Sequence, residues 1–118
     1  MRGLKPEDIK HLLPLRDAQI IQIGVGEYQV NFDLHKGGTI AVEGRCELID
    51  PSGKLVDAWD RGTRSREFRF LDLLGRVITD VAIDTQKSFV VTLDDSSRLR
   101  IVDNSDQYES FAVGGMYV

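Results

Sequence analysis

One apolar pattern runs through this chain twice, and it limits what the chain can fold into. Ile20, Ile23 and Val25 are followed by Val30, Phe32 and Leu34, then by Ile40 and Val42. Later come Ile78, Val81 and Ile83, then Phe89, Val91 and Leu93, then Leu99 and Ile101. The offset is 58 residues from Ile20 to Ile78 and 59 from Val30 to Phe89, so one inserted residue in a turn reconciles the two series. Repetition over such a span marks an internally repeated architecture. Antiparallel meanders also resemble one another without common descent, because every half-buried strand alternates with period two.

Within each half the alternation is clean, as in Val30-Asn31-Phe32-Asp33-Leu34 and Phe89-Val90-Val91-Thr92-Leu93. The turns that follow, His35-Lys36-Gly37-Gly38 and Asp94-Asp95-Ser96-Ser97, carry residues suited to tight hairpins. Strands over 39–46 and 98–102 complete two meanders, and a short fourth strand follows each, around 47–49 and 108–113. A hairpin centred on Gly37-Gly38 pairs positions whose numbers sum to about 74, which sets Cys46 near Tyr28. A helical turn precedes each meander. Pro6, Glu7 and Asp8 suit a helix N-terminus, Ile9, Leu12 and Leu13 share a face, and Pro14 stops it. Phe70, Leu71, Leu73 and Leu74 lead likewise to Gly75 as a C-terminal cap.

The expected fold is therefore α+β: one domain over 1–118 built from two pseudo-twofold helix-plus-meander repeats, about 5–50 and 66–113. They share one core, as a flattened barrel or as packed sheets. A polar linker over 51–66 joins them and holds the single tryptophan, Trp59.

Composition narrows the function. One cysteine cannot form an intrachain disulfide, and no apolar run reaches the ~18 residues of a membrane helix. The segment Met1–Pro6 lacks the apolar stretch of a signal peptide, so a cytoplasmic location and no membrane partner are expected. The formal charge of −4 disfavours a general nucleic-acid binder on electrostatic grounds while leaving room for a local basic patch.

Catalytic and cofactor signatures are missing. Cys46 and His35 sit far apart on the expected hairpin, and an isolated cysteine reads as a small core residue. Two histidines and one cysteine cannot close a zinc site without carboxylates, and Asp103, Asp106 and Glu109 lack the spacing of a calcium loop. Gly24-Val25-Gly26 has no third glycine and is followed by strand, so it shapes a turn rather than a phosphate site. No catalytic, metal or cofactor residue is assigned, and no cofactor is expected.

Two charged segments remain. Arg61, Arg64, Arg66 and Arg69 stand against Glu67, and Asp94, Asp95, Asp103, Asp106 and Glu109 stand against Arg98 and Arg100. Their plain reading is solvated surface. Their functional reading is a pair of recognition patches facing another protein, or each other across a homodimer. Trp59 with Arg61, Arg64, Arg66 and Arg69 has the composition of an interface anchor, or of a single-stranded nucleic-acid contact.

The run Leu73-Leu74-Gly75-Arg76-Val77-Ile78, the acidic hairpin at Asp94-Asp95 and the terminal Tyr108-Glu109-Ser110-Phe111 together resemble a family of small uncharacterised bacterial proteins. Some relatives of that kind look like immunity proteins of toxin systems. The likeness implies a duplicated α+β fold and a non-enzymatic protein-binding role, such as an immunity-type inhibitor. It carries over no catalytic residue. Where such proteins have an Asp-Gly turn, this chain has Asp94-Asp95-Ser96-Ser97. A nucleic-acid contact through the arginine segment is the alternative.

Overall fold

A computed structural model describes residues 4–61, 63–64, 68–102, 111–113 and 116–117, with strand pairing alone for 63–64, 111–113 and 116–117. Helical structure opens the chain: a 3₁₀ turn Pro6–Asp8, the helix α1 (Ile9–Leu12) and a second 3₁₀ turn Leu13–Leu15. Lys5 N–H donates to Asp8 Oδ2 at 2.9 Å, tying down the first turn. Leu12 and Leu15 are buried and Leu13 is exposed. The expected face of Ile9, Leu12 and Leu13 is thus corrected, because the tighter helix brings every third residue to one side. The second helical segment is corrected in the same way. It is a 3₁₀ turn, Arg69–Leu73, that buries Phe70 and Leu73 and exposes Leu71 and Leu74.

The strands are β1 (Ile20–Val25), β2 (Val30–Leu34), β3 (Thr39–Val42), β4 (Arg45–Ile49), β5 (Leu55–Asp60) and β6 (Thr63–Arg64). After the 3₁₀ turn come β7 (Ile78–Thr85), β8 (Ser88–Leu93), β9 (Arg98–Val102), β10 (Phe111–Val113) and β11 (Met116–Tyr117). They form two antiparallel sheets, ordered β1-β2-β3-β10-β11 and β6-β5-β4-β9-β8-β7. The fold is α+β, and the sheets do not close into a barrel.

Each meander hands its next strand to the other sheet. β4 pairs with β9, setting Cys46 against Ile101, and β10 pairs with β3, setting Phe111 against Val42. The expected strand over 39–46 accordingly ends at Val42, and the chain changes sheets at Glu43-Gly44. Hairpin pairs sum to 72, as in Phe32 with Ile40, and Cys46 lies beside Trp59 rather than Tyr28.

Local geometry recurs at the spacing of the apolar pattern. Val30–Val42 and Phe32–Ile40 have counterparts in Phe89–Ile101 and Val91–Leu99. β1 and β7 are bulged at matching positions, Ile20/Gln22 and Ile78/Asp80. The halves also meet through reciprocal hydrogen bonds. Ile20 N–H donates to Arg76 O at 2.9 Å, and Ile78 N–H to Ala18 O at 2.8 Å. Asp17 N–H donates to Ile78 O at 2.7 Å, and Gly75 N–H to Ile20 O at 2.8 Å. Asp17 and Gly75 both take left-handed backbone, φ 69° and 84°, a conformation that suits glycine and is tolerated by aspartate.

The polar linker expected over 51–66 is a further correction. Its middle is β5, hydrogen-bonded between β4 and β6, and Trp59 is 1% exposed. Residues of both sheets and of the helical turns share one core, in which Phe32 lies 6.2 Å from Phe70 and Phe68 lies 5.2 Å from Phe70. Among the described residues no helix is long and apolar enough to cross a membrane.

Candidate functional site

A cleft of about 150 Å³ opens at one end of the six-stranded sheet, between the β4–β5 turn, the 3₁₀ turn 69–73 and the β8–β9 turn. Leu48, Pro51, Val56 and Leu73 give it an apolar lining, and Asp50, Asp72, Asp95, Ser97 and Arg69 supply its polar groups.

Turn chemistry places each acid. Asp50 Oδ1 accepts from Ser52 N–H at 2.9 Å, Ser52 Oγ–H at 2.6 Å and Lys54 N–H at 3.0 Å. Asp95 Oδ1 accepts from Ser97 N–H at 3.0 Å and Ser97 Oγ–H at 2.5 Å. Such side-chain-to-backbone bonds are what fit aspartate to turns. The hydrogen bonds from Ser52 and Lys54 hold the Asp50 carboxyl below its ordinary range. Burial works to raise Asp95, but the bonds from Ser97 and the charge of Arg76 outweigh it and lower it. Both are therefore anionic at neutral pH.

The third wall is set by Asp57. This buried carboxylate on β5 accepts Arg69 N–H on Oδ2 at 2.6 Å and Ala58 N–H on Oδ1 at 2.9 Å. It anchors the start of the 3₁₀ turn just after Phe68, whose φ is 40°. Arg69 and Asp72 then stand at the cleft, with Nε and Oδ2 3.0 Å apart.

The structure thus brings together two residues that sequence reasoning assigned to separate patches, Arg69 and Asp95. Of the others, some are placed elsewhere and some lie outside the described residues. Trp59 is core and is withdrawn as an exposed anchor. The Arg61 guanidinium lies 5.4 Å from the centre of the Tyr28 ring. Asp94 stays beside Asp95, both 3.6 Å from Arg76. Arg64 is placed on β6 by its backbone, while Arg66, Asp103 and Asp106 lie outside the described residues. Asp50 and Asp72 were missed. The Asp50-Pro51-Ser52-Gly53 turn was legible, but nothing local shows that it faces Asp95 across the sheet.

Charges on the six-stranded sheet are arranged differently. Asp60, Arg45, Glu47, Arg100 and Asp84 alternate in sign across β5, β4, β9 and β7, with contacts of 2.5 to 3.0 Å. Ser88 Oγ–H donates to Asp84 Oδ1 at 2.5 Å. The chain of charges satisfies itself, which suits holding strands rather than recognising a ligand. Burial works to raise the Glu47 carboxyl, but hydrogen bonds from Arg100 and Arg45 outweigh it and leave it lowered. Asp84 is lowered too, burial being outweighed by Ser88 and Arg100. Carboxyls depressed in the folded state stabilise it above their unfolded pKa values, and that stability is lost as pH falls through the folded values. Denaturant titrations should show constant stability from pH 7 to about 5 and a decline below about 4. In Glu47→Gln that decline should be shallower, and an unchanged slope would remove Glu47 from the account.

Cys46 is buried on β4, and burial first, then the charge of Asp57, pushes its thiol far above the ordinary range. A thiol so held is a poor nucleophile. His35 Nδ1 accepts Gln19 N–H at 2.7 Å, a structural bond between the β2–β3 turn and the segment before β1. Among the described residues no group of three His, Cys, Asp or Glu side chains is placed to hold a metal ion.

A family model, that of a family of unknown function (DUF6188), matches residues 11–117, and the chain belongs to that family. No curated protein and no solved structure matches it.

Proposed function

We propose that this member of DUF6188 is a non-enzymatic protein-binding module whose cleft takes a basic side chain of a partner protein. The observation that carries this reading is an apolar lining and three carboxylates, from three separate elements, in one concavity. An arginine or lysine side chain matches both parts: its methylene stem covers the apolar surface and its head meets the acids. Within the lining Arg69 pairs with Asp72, and Arg76, outside the lining, lies 3.6 Å from Asp95, so a partner's basic side chain would exchange for these contacts as well as meet Asp50. An immunity-type inhibitor, masking a basic surface of a bacterial toxin in the cytoplasm, is the concrete form of such a module. The negative overall charge favours encounter with a basic partner.

The nucleic-acid alternative draws less support. Arg61 faces Tyr28 and Arg69 faces Asp72, so these two do not join in one basic strip.

The test is the triple variant Asp50→Asn, Asp72→Asn, Asp95→Asn, in which each asparagine keeps a carbonyl acceptor for its turn. Stability should change by less than ~1 kcal/mol. Affinity for a partner recovered from the native cell should fall by at least ~2 kcal/mol, about thirtyfold. Undiminished affinity for every recovered partner would sink the reading. Steeply salt-dependent binding of a single-stranded oligonucleotide would move the case to the alternative.

The repeated architecture is, in the same spirit, proposed to descend from a duplicated unit. The matched bulges and reciprocal hydrogen bonds support it. An experimental structure in which residues 20–34 and 78–93 do not superpose would end it.

A further inference from the structure

We propose that β1 is the contact strand of a homodimer, pairing antiparallel with β1 of a second copy about a dyad at Gly24. The argument starts from the two strands that open the matching meanders. β7 is guarded: it carries Asp80 and Asp84 and two bulges, and Leu4 N–H donates to Gln86 O just beyond its end. Charge and bulges are how natural sheets block edge pairing. β1 has a single bulge, and the segment from Ala18 to Gly26 contains no charged residue of its own. Ile21 is 55% exposed and Val25 38%, apolar side chains of the strand itself, and Tyr28 beyond its end is 55% exposed with the Arg61 guanidinium 5.4 Å from its ring centre.

Backbone geometry states what fits there. Gly26 N–H donates to Gln29 O at 2.8 Å, and the register continues through Gly24 with Asn31 and Gln22 with Asp33. Hydrogen bonding alternates along an antiparallel strand, so Gly24 and Gln22 bond to β2 while Ile23 and Val25 present N–H and C=O outward. At Ile20 the outer groups are taken by Arg76 and Gly75, and beyond it no described strand pairs with this edge. Water satisfies such a row in a monomer, and an extended strand is the partner that pairs with it group by group.

A second copy supplies one in register. With Gly24 opposite Gly24 on the dyad, Ile23 of each copy faces Val25 of the other, and the outward groups form four hydrogen bonds. The side chains of Ile23 and Val25 from both copies then share one face. Charge selects this occupant: each chain carries −4, and two copies meet with least repulsion along a strip that has none. The contact is isologous, so it closes as a dimer rather than growing into a filament.

Sedimentation velocity and light scattering on the full chain test it. The wild type should have twice the 13.3 kDa chain mass. Val25→Pro removes an outward N–H and leaves the β1–β2 bonds intact, and Val25→Lys puts a charge on the edge. Both variants should be monomeric, with the dissociation constant raised at least about tenfold. Where the proline variant melts earlier as a monomer, the lysine variant alone decides. A wild type that stays monomeric at about 1 mM, or a dimer that survives both substitutions, overturns the proposal, and the edge would then await a strand from another protein.

Discussion

Trp59→Ala lowers the unfolding free energy by about 3–5 kcal/mol, the cost of emptying a large buried site. The residue lies on β5, buried in the shared core at 1% exposure, and its backbone pairs with Cys46 on one side and Arg64 on the other. Urea titration would measure the loss. As the only tryptophan, it also reports directly, with emission at short wavelength when folded and a shift to the red on unfolding. A loss below ~1 kcal/mol would return Trp59 to the surface and the segment around it to a solvated loop.

Phe32→Ala is expected to cost a similar ~3–5 kcal/mol. Phe32 belongs to the five-stranded sheet, yet its ring meets Phe70 of the 3₁₀ turn that leads into the other meander. The substitution removes packing between halves as well as within one. Combined with Phe70→Ala it should therefore be less than additive, because the first truncation already frees the second ring. Full additivity would show that the two rings contribute independently.

Much of the fold was legible where one face of a strand is wet and the other dry. Val30–Leu34 and Phe89–Leu93 alternate because their outer residues meet solvent, and both strands were read within a residue of their limits. β5 escaped notice because its pattern is inverted. Asp57 and Trp59 are buried while Leu55 is exposed and Val56 only half-buried at a bulge, so polarity no longer tells inside from outside. Asp57 is affordable there only because Arg69 N–H and Ala58 N–H satisfy it, a long-range fact that no local window contains. Helical period misled in a smaller way, since Leu12 with Leu13 and Phe70 with Leu71 fit a 3.6-residue face until the chain tightens to three per turn. The cleft was half legible. Arg69 and Asp95 were singled out by charge, but their meeting depends on the change of sheet at Glu43-Gly44, which brings β4 and its following turn beside β9.

That exchange of strands also governs when the protein can fold during synthesis. When the first half leaves the ribosome, β4 has no neighbouring β9, and Cys46 and Leu48 wait for Ile101 and Leu99, more than fifty residues downstream. β3 waits longer still for β10, as Val42 pairs with Phe111. Pairings so distant in sequence form slowly and late. One half alone lacks the partners of β3 and β4, and those strands stay unpaired on that side until residues 98–102 and 111–113 have been made. A ribosome-stalled chain ending before residue 98 should therefore be protease-sensitive throughout, with the first meander no better protected than the rest.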